Sequence, residues 1–181
     1  MRACQKKKSD NKNRAERVYN FFSKDNLSLL DIGSGIGVFI YEMRKRKWNV
    51  KGIELDKRYA DFCKQKHGLN VYQKDLSKFE SRNKFDLVSL NKVLEHVYDP
   101  VKLLKLSSKF LKKKGVLYIE VPDVKASNEG KQRQEFCIDH LHIFSKSSLN
   151  ILAKKSGLKI LVCNRIKEPS GKYTIYAFLK K

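Results

Sequence analysis

A short glycine-rich segment, residues 31–37, has the composition of a loop that holds a ligand against its backbone. Gly33, Gly35 and Gly37 alternate with other residues directly after a short apolar run. Glycine adopts positive φ and lets a ligand approach closely, and a helix beginning here offers unpaired N–H groups. Val38 follows Gly37, so the GxGxxG/A spacing of dinucleotide folds is absent, and so is the Gly-Lys-Ser/Thr of a P-loop. We therefore expect a ligand without a pyrophosphate.

A carboxylate further along the chain indicates what this ligand contains. Glu54 ends the second apolar run, residues 49–54, about 20 residues after the glycines. A carboxylate at this place accepts hydrogen bonds from the ribose hydroxyls of an adenosine. The combination favours a nucleoside that carries no pyrophosphate.

Alternating strands and helices are needed to place these residues at one edge of a sheet. Short apolar runs predict strands at residues 28–32, 49–54, 69–73, 85–90 and 116–121. Between and after them, helices are predicted at residues 14–22, 36–46, 57–66, 100–114 and 146–156. Residues 158–165 and 173–179 flank a turn and predict an antiparallel hairpin. The fold class is therefore α/β, with a doubly wound, mostly parallel sheet.

The first twelve residues differ in composition from the rest of the chain. Residues 1–12 are polar and basic without periodicity, and predict a disordered tail. Residues 13–181 are expected to form a single domain.

Five segments in this order resemble one known family: LLDIGSGIGVF, GIELD, KDLSKF, FDLVSLNKVLEH and GVLYIEVPD. They resemble the class I S-adenosylmethionine-dependent methyltransferases. The later segment DHLHIFSKSSLNILAKKSGL is similar to the small-molecule subgroup that includes ubiquinone-type and sugar methyltransferases. The resemblance implies a Rossmann-like methyltransferase fold with seven strands, the last antiparallel, and S-adenosyl-L-methionine as cofactor, with S-adenosyl-L-homocysteine as product.

The resemblance also assigns a role to individual residues. The methionine part of the cofactor would be lined by Asp31, Gly33, Ser34, Gly35 and Gly37. Glu54 would hold the ribose, with Leu55 beside the adenine. Asp75 would lie near the adenine amine, with the backbone N–H of Leu76, and Asn91 would face the methionine end through its backbone. For Asp75 an ordinary loop carboxylate remains the alternative.

Candidates for the chemistry lie in the same motifs. Methyl transfer from a sulfonium is an in-line displacement, so the protein positions the acceptor and, for some acceptors, removes a proton. Glu95, His96, His140 and His142 are the candidates, and His140 is preferred as the base, with His142 packing away. For His96 a structural hydrogen bond is an equal alternative.

No metal site is predicted. Some ubiquinone-type enzymes carry an ExxEH motif for a metal, but Lys92 stands here in the place of the first carboxylate. The four cysteines form no CxxC pair, so the sequence does not indicate a zinc site either.

Charge and hydropathy limit the partners. The chain has 40 Lys+Arg against 19 Asp+Glu, a net charge of +21, spread along its length and mostly lysine. A nucleic-acid partner is an alternative that the sequence does not favour, because charge alone argues for non-specific binding. No apolar run approaches the roughly 20 residues that span a bilayer, and no signal-peptide pattern is present. We expect a cytoplasmic protein.

These observations predict a methyltransferase for a small-molecule acceptor, with the methylated atom undetermined. The loop at residues 122–144 is expected to recognise the acceptor, since a long loop in a compact domain is usually functional. Two alternatives remain: an RNA or ribosomal-protein methyltransferase that uses the lysine-rich surface, and a cofactor-binding module without catalysis.

Overall fold

The apolar runs form one seven-stranded sheet in the computed structural model, which describes residues 2–181, with side chains from Ser9 onward. The strands are β1 (Ser28–Ile32), β2 (Asn49–Glu54), β3 (Val71–Gln73), β4 (Phe85–Asn91), β5 (Leu111–Pro122), β6 (Lys159–Lys167) and β7 (Tyr173–Lys180). Their order across the sheet is β3-β2-β1-β4-β5-β7-β6. Strands β1 to β5 pair in parallel, whereas β7 is antiparallel to both β5 and β6. The predicted fold class is thereby confirmed.

Helices cover both faces of this sheet. They are α1 (Arg2–Phe22), α2 (Val38–Lys45), α3 (Lys57–His67), α4 (Pro100–Ser108) and α5 (Lys146–Lys155). One apolar cluster joins α1, α2 and α3 to one face, and a second joins α4 and α5 to the other. Apolar residues of a central parallel strand are therefore buried on both sides, which explains why these strands appear as continuous apolar runs in the sequence. No helix of the described chain is long and apolar enough to cross a bilayer.

The N-terminal segment differs from its prediction. Helix α1 begins at Arg2, so residues 2–12 are helical and not a disordered tail, while Met1 lies outside the described residues. Asp10 is buried, and its carboxylate accepts a hydrogen bond from the backbone N–H of Ser170 at 3.0 Å. This contact to the β6–β7 turn lies 160 residues away in the sequence, where local periodicity does not reveal it.

The boundary between α4 and β5 is also corrected. The predicted helix over residues 100–114 ends at Ser108, and residues 112–114 belong to β5. Leu111 pairs with Phe85 of β4, and a bulge follows before Leu87 pairs with Val116. The lysines that resemble the last turn of a helix therefore lie on an exposed stretch of strand.

Candidate active site

The glycine-rich turn lies at the carboxyl end of β1, and its three glycines have different environments. Gly33, Gly35 and Gly37 all have positive φ. A Cβ on Gly33 would lie 2.6 Å from Val93 Cγ2, and one on Gly37 would lie 2.8 Å from Cys63 Sγ. At Gly35 a Cβ would meet no atom of the described residues within 4 Å. Packing explains the outer two glycines, whereas Gly35 borders open space.

Glu54 lies beside this open space. Its Oε2 accepts a hydrogen bond from the Gly35 N–H at 2.7 Å, and its Oε1 accepts one from the Asp56 N–H at 3.0 Å. A carboxylate has about four acceptor positions, so capacity remains for two further donors. The loop after β1 and the end of β2 are thus joined through the carboxylate that the sequence predicts as a ribose ligand.

The next part of the same edge is a cavity of about 470 Å³ lined by Leu55 and Asp75, among others. Leu55 is 66% exposed, so its side chain is accessible from this cavity. Asp75 accepts hydrogen bonds from the N–H and Oγ of Ser77, and these bonds lower the pKa of Asp75. Asp75 therefore caps the turn Leu76–Lys78, which agrees with the alternative of an ordinary loop carboxylate. It also borders the cavity.

Asp31 is a buried carboxylate on the same edge. It accepts a hydrogen bond from Ser89 Oγ at 2.6 Å and one from Asn91 Nδ2 at 2.9 Å. Burial raises the pKa of Asp31 to about 7, against the opposing effect of these bonds. Asn91 Oδ1 is buried and has no hydrogen-bond partner in the described part of the chain. A ligand with an ammonium group near both side chains would satisfy them.

Ser89 makes a contact in the site that the sequence did not predict. It is fully buried within β4, so its hydroxyl requires a partner, and Asp31 provides one. A polar residue inside an otherwise apolar run is the signal that would have revealed it.

The LEH segment and the DHLH segment come together above the ends of β4 and β5. The carbonyl oxygen of Glu95 accepts hydrogen bonds from the N–H groups of Leu141, at 2.7 Å, and His142, at 3.2 Å. The side chain of His142 turns away and bonds the Val97 carbonyl oxygen through Nε2 at 2.9 Å. Backbone hydrogen bonds thus join two loops that are distant in the sequence. The His142 ring is directed away from the other candidate side chains.

Two imidazoles lie against each other at this junction. The ring centroids of His96 and His140 are 4.9 Å apart. His96 Nδ1 is 2.9 Å from the carbonyl oxygen of Asp139, and His140 Nδ1 is 2.8 Å from that of Glu135. A carbonyl oxygen only accepts, so Nδ1 carries the hydrogen in both rings, and in a neutral ring Nε2 is left as a base.

Glu95 completes this group. It is 1% exposed, and its Oε2 has no hydrogen-bond partner among the described residues. Burial raises its pKa, and the nearby Lys92 ammonium opposes that change. One ligand atom each from Glu95, His96 and His140 lies within 4.8 Å of the others, a spacing that also suits a metal ion. The absence of a metal site stays a prediction.

A buried charge network, which the sequence analysis did not predict, adjoins the site. Glu120 in β5 is fully buried, and it accepts hydrogen bonds from Arg14, Arg17 and the hydroxyl of Tyr118. Glu168 lies 3.8 Å from Arg17, and burial raises the pKa of Glu168 to about 7. A glutamate within the apolar run VLYIEV was the available signal.

Comparison with known proteins agrees with this geometry. A family model described as a methyltransferase domain matches residues 6–162. The chain belongs to this family. As a methyltransferase domain it carries its glycine turn, Glu54 and the paired histidine segments along one edge of the sheet, the carboxyl ends of the parallel strands, where α/β folds bind ligands.

Curated relatives match this methyltransferase domain over about half of its length. A ubiquinone biosynthesis O-methyltransferase of Pelagibacter ubique is 35% identical over 99 residues, which are 52% of this chain and 41% of that protein. An (S)-coclaurine N-methyltransferase of Papaver somniferum is 30% identical over 105 residues, 54% of this chain and 30% of that protein. The aligned regions thus cover less than half of these curated relatives.

Solved structures share its fold at low sequence identity. The magnesium protoporphyrin IX methyltransferase of Synechocystis, solved with S-adenosylhomocysteine, has a TM-score of 0.75 at 12% identity, covering 95% of this chain and 84% of that one. A possible histamine N-methyltransferase from Thermotoga maritima has a TM-score of 0.75 at 19% identity, covering 99% and 91%.

Proposed function

We propose that this protein transfers a methyl group from S-adenosyl-L-methionine to a small-molecule acceptor. The observation that carries the proposal is the open space at Gly35 beside Glu54, whose neighbour in the sequence, Leu55, lines the cavity of about 470 Å³. The cofactor supplies an activated methyl group on a sulfonium. The similarity to a ubiquinone biosynthesis O-methyltransferase and to an (S)-coclaurine N-methyltransferase supports a small acceptor.

Three residues of the chain suit three parts of the cofactor. The remaining acceptor capacity of Glu54 suits the two ribose hydroxyls, and the exposed face of Leu55 suits the adenine ring. Asp31 suits the ammonium of the methionine part, because a cation relieves the cost of a buried carboxylate.

Calorimetric titration with S-adenosylhomocysteine tests the cofactor assignment. Glu54→Ala removes charge-assisted hydrogen bonds, so we expect a loss of about 2–3 kcal/mol in binding free energy. Glu80→Ala is the matched control, since Glu80 is exposed and outside the site. Unchanged affinity in a folded Glu54→Ala variant, or no binding by the wild type, would contradict the proposal.

Glu95, His96 and His140 are the proposed groups for removing a proton from the acceptor. With Nδ1 of each ring bonded to a carbonyl oxygen, Nε2 of His140 or His96 is the atom that would take it. Glu95 is positioned to stabilise the imidazolium that results, since its charge lies close to both rings.

The cytoplasmic location expected from the sequence stays a prediction.

Methyl transfer by alanine variants tests this assignment, with an acceptor found by screening metabolites. We expect His140→Ala to bind S-adenosylhomocysteine normally and to lose about 10²–10⁴ in rate, the usual contribution of a general base. His142→Ala is the control, because its ring bonds Val97 and lies apart from the cluster. The assay is repeated with EDTA, which is expected to leave the rate unchanged. A rate lost to EDTA and restored by a divalent cation would show that the cluster binds a metal instead.

A further inference from the structure

The Glu95–His96–His140 group offers ligand atoms of the kinds that hold a transition metal. One ligand atom from each residue lies within 4.8 Å of the other two. Two imidazoles and one carboxylate are a known set of protein ligands for zinc, with a fourth position left for another ligand. Ligands about 2.1 Å from a tetrahedral zinc ion lie roughly 3.4 Å apart, so these atoms need to approach one another by about 1.4 Å at most.

Both imidazoles are oriented as zinc ligands are. His96 Nδ1 donates to the carbonyl oxygen of Asp139 at 2.9 Å, and His140 Nδ1 donates to that of Glu135 at 2.8 Å. A hydrogen bond of this kind fixes the tautomer and the ring orientation of most metal-binding histidines. The lone pair of Nε2 is left in each neutral ring, and it binds a metal without the release of a proton.

The carboxylate of Glu95 is an independent indication of a cation. Glu95 is 1% exposed, and its Oε2 has no hydrogen-bond partner among the described residues. A buried carboxylate oxygen without a partner is costly, and a bound cation supplies the missing interaction. The Glu95 carbonyl oxygen is meanwhile held by the N–H groups of Leu141 and His142. The carboxylate is therefore fixed at the junction of the two loops that carry the imidazoles.

The cavity beside this group has room for a further ligand. Its volume is about 140 Å³, and Lys92 and Lys172 also line it. A water molecule takes up about 30 Å³. Lys92 Nζ donates to Thr174 Oγ1 of β7 at 2.6 Å, and its positive charge weakens the binding of another cation nearby. The same charge favours an anion, such as hydroxide or chloride, as the fourth ligand of a metal bound here.

This donor set differs from the ExxEH motif. Lys92 stands in the place of the first carboxylate of that motif, and the sequence therefore predicts no metal site. In the structure the third donor is His140, which belongs to the DHLH segment. The spacing of residues along one segment does not reveal this donor, because it joins the other two through contacts between loops.

We propose that Glu95, His96 and His140 bind a zinc ion, and that the zinc-bound protein does not transfer the methyl group. Zinc takes the lone pairs of both Nε2 atoms, which are the proposed acceptors of the proton, so zinc binding and proton removal exclude each other. The inhibition rests on the proposed function, whereas the binding of zinc does not. Removal of zinc by EDTA leaves the active form, in contrast to the removal of a catalytic metal.

Calorimetric titration of the metal-free protein with zinc, without an affinity tag, tests the site. We expect the wild type to bind a single zinc ion per chain. Glu95→Gln and His140→Ala should each bind zinc at least about 100-fold more weakly, since loss of an outer-shell partner alone costs up to that factor. His142→Ala is the matched control, because its ring bonds Val97, and it should retain the affinity. Magnesium prefers oxygen ligands and should not bind at the same concentrations.

Cys137 requires a control of its own, since its exposed thiol lies three residues before His140. Cys137→Ser should retain the affinity for zinc, and a loss would assign the metal to the thiolate and overturn the donor set. No saturable binding by the wild type, or an unchanged affinity in either ligand variant, would also overturn the proposal. If Glu95→Gln fails to fold, His140→Ala decides, because His140 is only half-buried.

Methyl transfer at increasing zinc concentration tests the inhibition, with the acceptor found by screening. The rate should fall over the concentration range in which zinc binds, while the affinity for S-adenosylhomocysteine stays unchanged. A rate that zinc leaves unchanged or raises would overturn the inhibition. Failure of the wild type to bind S-adenosylhomocysteine would instead count against the proposed function, and the zinc titration would still decide the metal site.

Discussion

Gly35 differs from its neighbouring glycines in what its α-carbon faces. Side chains at Gly33 and Gly37 would collide with Val93 and Cys63, so these two glycines serve the packing of the turn. Gly35 faces open space, so a methyl group there would collide with no atom of the described residues. The only cost of a side chain at this position is the strain of its φ of +52°. This difference supports the proposal that Gly35 borders the cofactor, whereas Gly33 and Gly37 serve packing.

Gly35→Ala is therefore expected to fold and to lose cofactor binding. The backbone strain should cost about 1–2 kcal/mol of stability, and the methyl group should fill the space next to Glu54. Gly157→Ala is the matched control, because Gly157 also has a positive φ with open space around it, but lies at the end of α5. Thermal melting and titration with S-adenosylhomocysteine measure the two effects. Equal affinity in the two variants would show that Gly35 does not border the cofactor.

Site residues could be predicted from the sequence where a local pattern marks them, and not where their partners are distant in the sequence. The glycine turn and Glu54 could be predicted, because each follows an apolar run at a place that a parallel sheet brings to one edge. The sequence marks Ser89 as a polar residue in an apolar run and predicts that His142 packs away, but it does not identify Asp31 and Val97 as their partners. These partners depend on packing between distant segments, so the structure was needed to find them.

At the level of elements, α1 is attached to the sheet by charge as well as by apolar packing. Arg14 donates to Glu120 Oε2 at 2.7 Å, and Arg17 donates to Glu120 Oε1 at 2.7 Å. Glu120 is fully buried in β5, and these partners keep its pKa below the ordinary value against the effect of burial. Removing one partner leaves a buried charge incompletely compensated.

Arg14→Ala is expected to lower the free energy of unfolding by about 3 kcal/mol, the lower end for a broken buried pair, because Arg17 remains. Urea denaturation of the protein without ligand measures the loss. Arg82→Ala, which removes an exposed arginine, is the control and should change stability by less than about 0.5 kcal/mol. A loss below about 1 kcal/mol in Arg14→Ala would mean that water or Arg17 compensates Glu120 without it.

The elements themselves were predicted well where boundaries carry a local signal. Strands β1 and β2 have the predicted bounds, and α5 begins with the capping box of Ser145 and Ser148. The end of α4 was predicted wrongly, because residues 112–114 resemble a helix end until the pairing of Leu111 with Phe85 is known. The predicted start of α1 was wrong for the same reason, because the contact between Asp10 and Ser170 joins residues that are distant in the sequence.

For the whole molecule, the net charge of +21 is the property that bears on partners. Several of its cations are used internally, as Arg14, Arg17 and Arg165 show by pairing with buried carboxylates. The remaining lysines lie on many different elements. A dispersed positive surface attracts any polyanion without selecting one.

Binding to RNA is therefore expected to be weak, independent of sequence, and lost by about 0.2 M salt, where counterion release no longer favours it. Gel shifts with tRNA and with an unrelated RNA of equal length, at increasing salt, measure this. Retention of one RNA and not the other at that salt would favour an RNA acceptor over a small molecule.

The position of β7 has a consequence for the synthesis of the protein. This strand lies between β5 and β6, although both precede it in the chain. While the chain emerges from the ribosome, β5 and β6 therefore expose unpaired edges until Tyr173–Lys180 has followed. Exposed strand edges invite pairing with other chains. Aggregation during expression should therefore be sensitive to changes in this strand.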